Sequence, residues 1–176
     1  LYVPVDNTRS KSSDIAIKHG DHVYKGQRIG QRHAAFFDQP IFAVVSGTYV
    51  GLEKRLYRNN KVIDWIKIEN DFKEEVDPAH VERDQAAMDA LNKEEAAMLN
   101  RYYSAVGLGG SSFPTYIKMN MPNKINTILL NGIECEPYLC ADYLAIQNES
   151  ETIIEAMKFL KRIYECHDIR LCVKPN

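Results

Sequence analysis

The sequence predicts an α+β chain in two parts, an all-β half followed by an α/β half. Residues 1–72 contain short runs of alternating apolar and polar residues, interrupted by glycine, aspartate and asparagine, which is the pattern of a sheet with tight turns. Residues 93–176 combine helical stripes with apolar strand-like runs, which is typical of a parallel sheet covered by helices. Residues 73–92 are charged and rich in alanine, and they predict a helical linker.

Composition excludes several functional classes. The chain has 176 residues, is 45% hydrophobic and carries a net charge of −2, so it has no overall basic field that would attract nucleic acid. It contains no apolar run long enough to span a membrane directly. The histidines and cysteines match no zinc or iron–sulfur spacing, so the sequence predicts no metal site. We therefore expect a reduced, cytoplasmic protein.

The strands of the first half follow a known spacing. The phrases IKHGDHVYKGQRIG and AVVSGTYVGL resemble biotinyl and lipoyl domains, which implies a lipoyl-like barrel-sandwich hybrid fold for residues 1–72. The resemblance also implies that Gly20 and Asp21 lie in a turn before Val23, and Gly26 in the next turn. Carrier domains of that kind display a lysine midway between the halves, but this stretch carries AAFFDQ instead. We therefore expect an unmodified docking module and no swinging arm.

Helix signals recur after residue 72. Asp77 before Pro78 indicates a helix start, and Asn92 with Glu95 indicates a capped helix over residues 93–105. The apolar face of that helix is expected to contain Ala96, Leu99, Tyr103 and Val106.

The remaining elements alternate between helix and strand. A short helix is predicted for PTYIKMNM and a buried strand for INTILLN. Asn148 and Glu151 repeat the cap pattern before a long helix. DIRLCVK predicts a final strand that pairs in parallel with the strand of INTILLN. The stripe of the long helix comprises Ile153, Met157, Leu160 and Tyr164.

The run GLGGSSFP, which begins at Gly107, places three glycines in four residues. A dinucleotide-binding loop or a Walker A loop would need glycine where Ser112 stands, so neither motif is present. Two interpretations remain. The run either ends the preceding helix with a glycine cap and a turn, or it presents consecutive N–H groups to a phosphate.

The second polar motif is LLNGIECEPYLCAD, which follows the predicted strand INTILLN. Asn131, Glu134 and Glu136 should therefore lie beyond the carboxyl end of a strand, where α/β sheets bind ligands. Asparagine offers both donors and acceptors to the edge of a heterocycle. A solvated acidic turn is the alternative, and catalysis by paired carboxylates is disfavoured because no histidine or nucleophile accompanies them.

Together, GLGGSSFPTYIK and NGIECEPYLCAD resemble the flavin-binding half of the RnfC family, the C subunits of Rnf electron transport complexes. They are more distantly similar to the FMN- and NADH-binding subunit of respiratory complex I. The resemblance implies an incomplete, Rossmann-like three-layer FMN-binding domain over residues 93–176. It also implies that FMN is held by Gly107, Gly109, Gly110, Lys118, Asn131 and Glu134, and that NADH is held by Phe113 and Glu136.

The family resemblance further implies a subunit that oxidises NADH through FMN and passes electrons to 4Fe-4S clusters in a part absent from this chain. Its partners would be other electron-transport subunits, on the inner face of the plasma membrane. This stretch alone is expected to bind FMN poorly or not at all and to be inactive. Ser112 and Ile133 depart from the family pattern, and they favour the alternative of a non-catalytic docking or assembly subunit that binds no flavin.

Overall fold

The chain divides into two compact units. Leu1–Glu82 and Asn100–Thr115 form the first, and Arg83–Leu99 and Tyr116–Asn176 form the second. The structure is a computed structural model that describes residues 1–7, 9–34, 38–58, 60–107 and 113–174. Within those residues, no helix combines the length and the apolar character needed to cross a bilayer.

Antiparallel strands account for the regular structure of residues 1–72, as predicted. A four-stranded sheet has the order β1-β7-β6-β3, and a three-stranded sheet has the order β2-β4-β5. The described strands are β1 (Tyr2–Pro4), β2 (Ser12–Ile15), β3 (His22–Val23), β4 (Arg28–His33), β5 (Gln39–Phe42), β6 (Gly47–Leu56) and β7 (Val62–Asn70).

The two sheets pack around one apolar core. Val23, Ile66 and Ile68 come from the larger sheet, Ile29 and Ile41 come from the smaller one, and all five are at most 1% exposed. Branched side chains of this kind fit closely between pleated sheets, and burying each one stabilises the fold by about 1.5–3 kcal/mol. The first unit is therefore built on a two-sheet β sandwich.

Gly20 and Gly26 lie in turns, as the resemblance to carrier domains implied. Gly20 has a φ of 91° and Gly26 a φ of 84°, a region that residues with a Cβ rarely adopt. The N–H of Gly20 donates to the carbonyl of Tyr49 at 2.8 Å, which ties this turn to β6.

The predicted helix start at Asp77 is wrong. The N–H of Asp77 donates to the carbonyl of Lys25 at 3.0 Å, and its side chain accepts from the N–H of Ala79, so the residue forms a turn against the β sandwich. Val76, the residue before Asp77, forms a parallel bridge with Lys25, so the backbone there is extended and not helical. Helix α1 (Gln85–Asp89) starts later and is capped by the side chain of Asp84.

Helix α2 (Lys93–Tyr102) begins with the predicted capping box. The Asn92 side chain accepts from the N–H of Glu95 at 2.9 Å, and the Glu95 carboxylate accepts from the N–H of Asn92 at 3.0 Å. The predicted apolar face is only partly correct, because the helix ends before the exposed Tyr103. The short helix predicted from PTYIKMNM is confirmed as α3 (Thr115–Met119).

A parallel β-α-β unit makes up the rest of the second unit. Strands β8 (Thr127–Gly132) and β9 (Asp168–Val173) pair in parallel, as the sequence predicted. Helices α4 (Ala141–Asn148) and α5 (Ser150–Ile163) form the crossover between them. Such a crossover returns the chain from the carboxyl end of the first strand to the start of the second, so that both carboxyl ends lie at the same edge of the sheet.

Asn148 does not cap the long helix, which corrects the prediction from the repeated cap pattern. It is the last residue of α4, and α5 follows after Glu149, whose side chain makes no capping hydrogen bond. Helix α4 has no buried residue and no apolar stripe, so hydrophobic periodicity could not reveal it.

The second unit has a small core of its own. Ala96, Ala97, Met119 and Ile163 are buried, and Phe159 and Tyr164 pack against them. Strand β8 alternates between exposed and half-buried residues, so the prediction of a buried strand is wrong. Leu129, for example, is 63% exposed. Within the described part of the chain, the sheet has two strands and is too narrow to bury both faces of β8.

Candidate functional site

The glycine loop is closed at its base. Val106 and Pro114 form an antiparallel bridge, and the N–H of Gly107 donates to the carbonyl of Phe113 at 3.0 Å. A further hydrogen bond of 2.9 Å joins the N–H of Thr115 to the carbonyl of Ala105. The described residues on either side of the loop are therefore held together. Gly109, Gly110 and Ser112 lie outside the described residues.

Glycine does not end the preceding helix. Ser104 has a φ of 55°, its N–H donates to the carbonyl of Arg101, and the N–H of Ala105 donates to the carbonyl of Asn100. These two bonds form a Schellman motif, the usual closure of a helix by one left-handed residue. The interpretation of the glycine run as a helix cap is wrong, because Ser104 already fills that role before Gly107.

Replacing Ser104 by glycine should stabilise the chain by about 0.5–1 kcal/mol. Glycine removes the steric cost of a left-handed residue, about 1–2 kcal/mol, and gives back part of the gain through a more flexible unfolded chain. The free energy of unfolding in urea measures the effect. The control is Ser104→Ala, which keeps the Cβ and should give no gain. An equal gain in both variants would contradict the steric explanation.

Lys118 lies on α3 in the second unit, and its side chain is exposed. The next residue, Met119, is 2% exposed and anchors the helix in the core of that unit. The hydroxyl of Tyr164 donates to the carbonyl of Lys118 at 3.3 Å. The backbone of α3 is therefore anchored at Lys118, which is itself an exposed residue.

Asn131 lies at the carboxyl end of the parallel pair, as predicted. It is opposite Cys172 in the register of β8 and β9, and its side chain is exposed. Its Oδ1 accepts from the N–H of Ile133 at 3.2 Å. This bond turns the chain after the strand, and it leaves the Nδ2 group as the part of the amide suited to donate to a ligand.

Glu134 has a local role that the sequence did not indicate. Its Oε1 accepts from the N–H of Asp142 at 2.6 Å, in the first turn of α4. The N-cap residue Cys140 makes no side-chain cap bond, so Glu134 supplies one from a distance, and its negative charge suits the helix N-terminus. Glu136 is exposed in the following turn.

The predicted site residues are distributed over both units. Gly107 and the half-buried Phe113 belong to the first unit. Four belong to the second unit: Lys118, Asn131, Glu134 and Glu136. Within the second unit, the segment after β8 brings Asn131, Glu134 and Glu136 to the same end of the strand pair.

A cavity of about 280 Å³ in the first unit was not indicated by any motif. The guanidinium of Arg32 donates to the carbonyls of Pro4 at 2.5 Å and Val5 at 2.9 Å, and burial lowers its pKa. With Arg9 and Arg58 it gives the cavity three cationic groups from separate segments, a set suited to an anion such as a phosphate. The lining residues are Pro4, Asn7, Arg9, Arg32, Gln39, Tyr57, Arg58, Ser104 and Val106.

Comparison with known families accounts for both halves. Residues 101–176 match the Nuo51 FMN-binding domain, and residues 1–73 match the RnfC barrel sandwich hybrid domain. The chain belongs to the RnfC family. These two matches confirm the resemblance to RnfC that was inferred from GLGGSSFPTYIK and NGIECEPYLCAD. They also confirm the predicted order of a barrel-sandwich hybrid domain followed by an FMN-binding domain.

Curated relatives of this RnfC chain cover most of its length. The C subunit of the Na(+)-translocating ferredoxin:NAD(+) oxidoreductase complex of Acetobacterium woodii is 34% identical over 81% of the chain and 32% of its own length. The C subunit of the proton-translocating ferredoxin:NAD(+) oxidoreductase complex of Clostridium ljungdahlii is 30% identical over 100% of the chain and 38% of its own length. The C subunit of the ion-translocating oxidoreductase complex of Actinobacillus succinogenes is 27% identical over 99% of the chain and 25% of its own length. The chain therefore spans 25–38% of these relatives.

Proposed function

We propose that this RnfC chain is the flavin-binding part of a subunit that oxidises NADH through FMN and passes electrons to 4Fe-4S clusters carried elsewhere in the protein. The match of residues 101–176 to an FMN-binding domain carries this proposal. Two relatives named as subunits of ferredoxin:NAD(+) oxidoreductase complexes support the nicotinamide substrate and the electron-transfer partners.

The residues fit FMN chemically. The two ends of the loop, Gly107 and Phe113, are held at a fixed separation, which suits a cradle of backbone N–H groups from Gly109 and Gly110 around a phosphate. The N–H of Gly107 is bonded to Phe113, so Gly107 would line the FMN with its backbone without donating to the phosphate. Lys118 adds an exposed cation on a helix whose backbone is anchored. Bound FMN would supply hydride acceptance and the release of single electrons.

The segment after β8 would position the flavin ring and the nicotinamide. Asn131 is exposed at a strand end, where its amide group can donate to a heterocycle edge. Glu134 would contact the flavin region while its other oxygen holds α4 in place. Phe113 would pack near the adenine of the dinucleotide, and Glu136 would lie beside the nicotinamide or its ribose.

The domain arrangement is part of the proposal. Residues 1–72 would form the barrel-sandwich hybrid domain, residues 73–92 a helical linker, and residues 93–176 part of a Rossmann-like three-layer domain. The parallel pairing of β8 and β9 through a helical crossover supports that arrangement. In the cell, the protein would lie on the cytoplasmic side of the plasma membrane, as a peripheral member of an ion-translocating complex.

A second candidate is a docking or assembly subunit of the same fold that binds no flavin. The hydrogen bond from the N–H of Asp142 to Glu134 favours it, because this carboxylate already has a structural partner. The apolar Ile133 also replaces an acidic residue of the complex I pattern.

Titration of the full-length protein with FMN separates the two candidates. A flavoprotein should quench FMN fluorescence saturably, and NADH should then bleach the flavin absorbance under anaerobic conditions. Saturable FMN binding without bleaching would exclude the proposed NADH oxidation. Failure to bind FMN would favour the docking role.

A further inference from the structure

Three chemically active side chains converge at one end of the β sandwich, outside the proposed flavin site. His22 is the first residue of β3, Asp71 follows the end of β7, and Glu75 lies in the segment that leaves the sandwich. One ligand atom from each lies within 4.8 Å of the other two, and His22 Nε2 is 3.2 Å from Glu75 Oε2. All three residues belong to the first unit.

A buried serine holds the carboxylate of Asp71 and the backbone of Glu75 in place. The Oγ of Ser46 donates to Oδ1 of Asp71 at 2.6 Å and accepts from the N–H of Glu75 at 3.1 Å, and Ser46 is 0% exposed. The N–H of Lys73 also donates to Oδ1 of Asp71, at 3.0 Å. These two donors fix the orientation of the Asp71 carboxylate.

The backbone of the third residue is also held. The N–H of Lys25 donates to the carbonyl of Glu75 at 2.8 Å, which pairs this segment with the turn after β3. The ring of His22 packs edge-on against that of Tyr24, with 4.9 Å between their centroids. The cluster therefore has a supporting shell, as metal ligands in proteins do.

One atom of the cluster lacks a partner. Oδ2 of Asp71 is buried and accepts no hydrogen bond from the residues that the structure describes, although Oδ1 of the same group accepts two. Burying a carboxylate oxygen without a donor is costly, so an atom of this kind calls for a bound water or ion. The neighbouring His22 and Glu75 supply the further ligands that an ion would need.

We propose that His22, Asp71 and Glu75 form a binding site for a divalent transition-metal cation of the zinc type. One imidazole nitrogen and two carboxylate oxygens are a ligand set that Zn²⁺ accepts, with water in a fourth position, whereas Ca²⁺ and Mg²⁺ prefer oxygen ligands alone. The two carboxylates neutralise the charge of the ion. The metal would pin the segment from Asp71 to Glu75 against β3.

Titration of the 176-residue chain with ZnCl₂ tests the site. The cysteines are first alkylated with iodoacetamide, because the exposed Cys135 and Cys140 are competing ligands. We expect one equivalent to bind and to raise the thermal unfolding midpoint. His22→Gln and Asp71→Asn should each weaken binding by about tenfold or more, because each removes a ligand or its charge.

Two further variants make the test specific. His33→Gln is the matched control: His33 also contacts two carboxylates, Asp14 at 2.8 Å and Asp38 at 3.4 Å, but through different ring nitrogens, so a single ion cannot join them. Its zinc affinity should be unchanged. Ser46→Ala keeps all three ligands, and its affinity should fall by about tenfold through loss of support.

Co²⁺ used as a spectroscopic probe should give visible absorption without a thiolate charge-transfer band. The absence of saturable zinc binding, or equal affinity in the wild type and His22→Gln, would overturn the proposal. His22 has a 39% exposed side chain, so its substitution should leave the fold intact even if Asp71→Asn does not fold.

Discussion

Replacing Gly47 by alanine should strongly destabilise the β sandwich. Gly47 opens β6 and pairs with Asn70 of β7, and a Cβ at this position would lie 2.0 Å from the carbonyl oxygen of Glu69. That oxygen belongs to the backbone of β7, which is paired with β6, so it cannot move aside as a flexible side chain would. The φ of 151° adds strain of its own. We expect a loss of roughly 4 kcal/mol or more, a large share of the ~5–15 kcal/mol that stabilises a typical domain.

Urea unfolding of the chain, followed by circular dichroism, measures this loss. The matched control is Gly20→Ala. Gly20 also has a positive φ, but apart from its chain neighbours no atom of the described residues lies within 4 Å of the position that its Cβ would take. That variant should lose only the cost of the backbone conformation, about 1–3 kcal/mol. A loss for Gly47→Ala no larger than for Gly20→Ala would show that the close approach to Glu69 is unimportant.

Replacing Lys118 by alanine should weaken FMN binding by about tenfold or more, if FMN binds as proposed. One charge-assisted hydrogen bond contributes about 1.5–3 kcal/mol, and about 1.4 kcal/mol corresponds to a factor of ten in the dissociation constant. The side chain is exposed and α3 is anchored by Met119, so the free energy of unfolding should change little. Fluorescence titration of the full-length protein with FMN gives the affinity.

Lys124→Ala is the control for Lys118→Ala. Lys124 is an exposed lysine of the same unit that lies beyond the end of α3, so its replacement removes the same charge from a different place. The FMN affinity of this variant should remain close to that of the wild type. Equal weakening in both variants would indicate general electrostatic attraction, and no weakening in either would remove Lys118 from the site.

Local signals predicted structure well where the interaction stays within a few residues. The capping box of Asn92 and Glu95 is confirmed because both partners lie in the first turn of α2. The same pattern at Asn148 failed, because the preceding residues already form α4. A cap motif indicates a helix start only where the chain before it is not helical. Because α4 has no apolar stripe, the sequence did not show that the chain before Glu149 is helical.

In the candidate site, too, local features were predictable from the sequence and contacts between separate elements were not. Asn131 was predictable because a strand followed by a crossover helix places its carboxyl end beside that of a parallel neighbour. The bond from Asp142 to Glu134 was not predictable, because α4 was not expected. The glycine run left two interpretations open. The Schellman motif at Ser104 excludes the one in which the glycine run caps the helix.

The sequence by itself determined the all-β character of residues 1–72, the turns of the β sandwich, the parallel strand pair and the motifs that place the chain in its family. These features depend on periodicity, turn chemistry and short motifs, all of which are local in the chain. Only the tertiary structure decided that His22 meets Asp71 and Glu75, and that Arg9, Arg32 and Arg58 line one cavity. The physical reason is that such clusters form by sheet closure between distant segments, and no local pattern records which side chains that closure brings together.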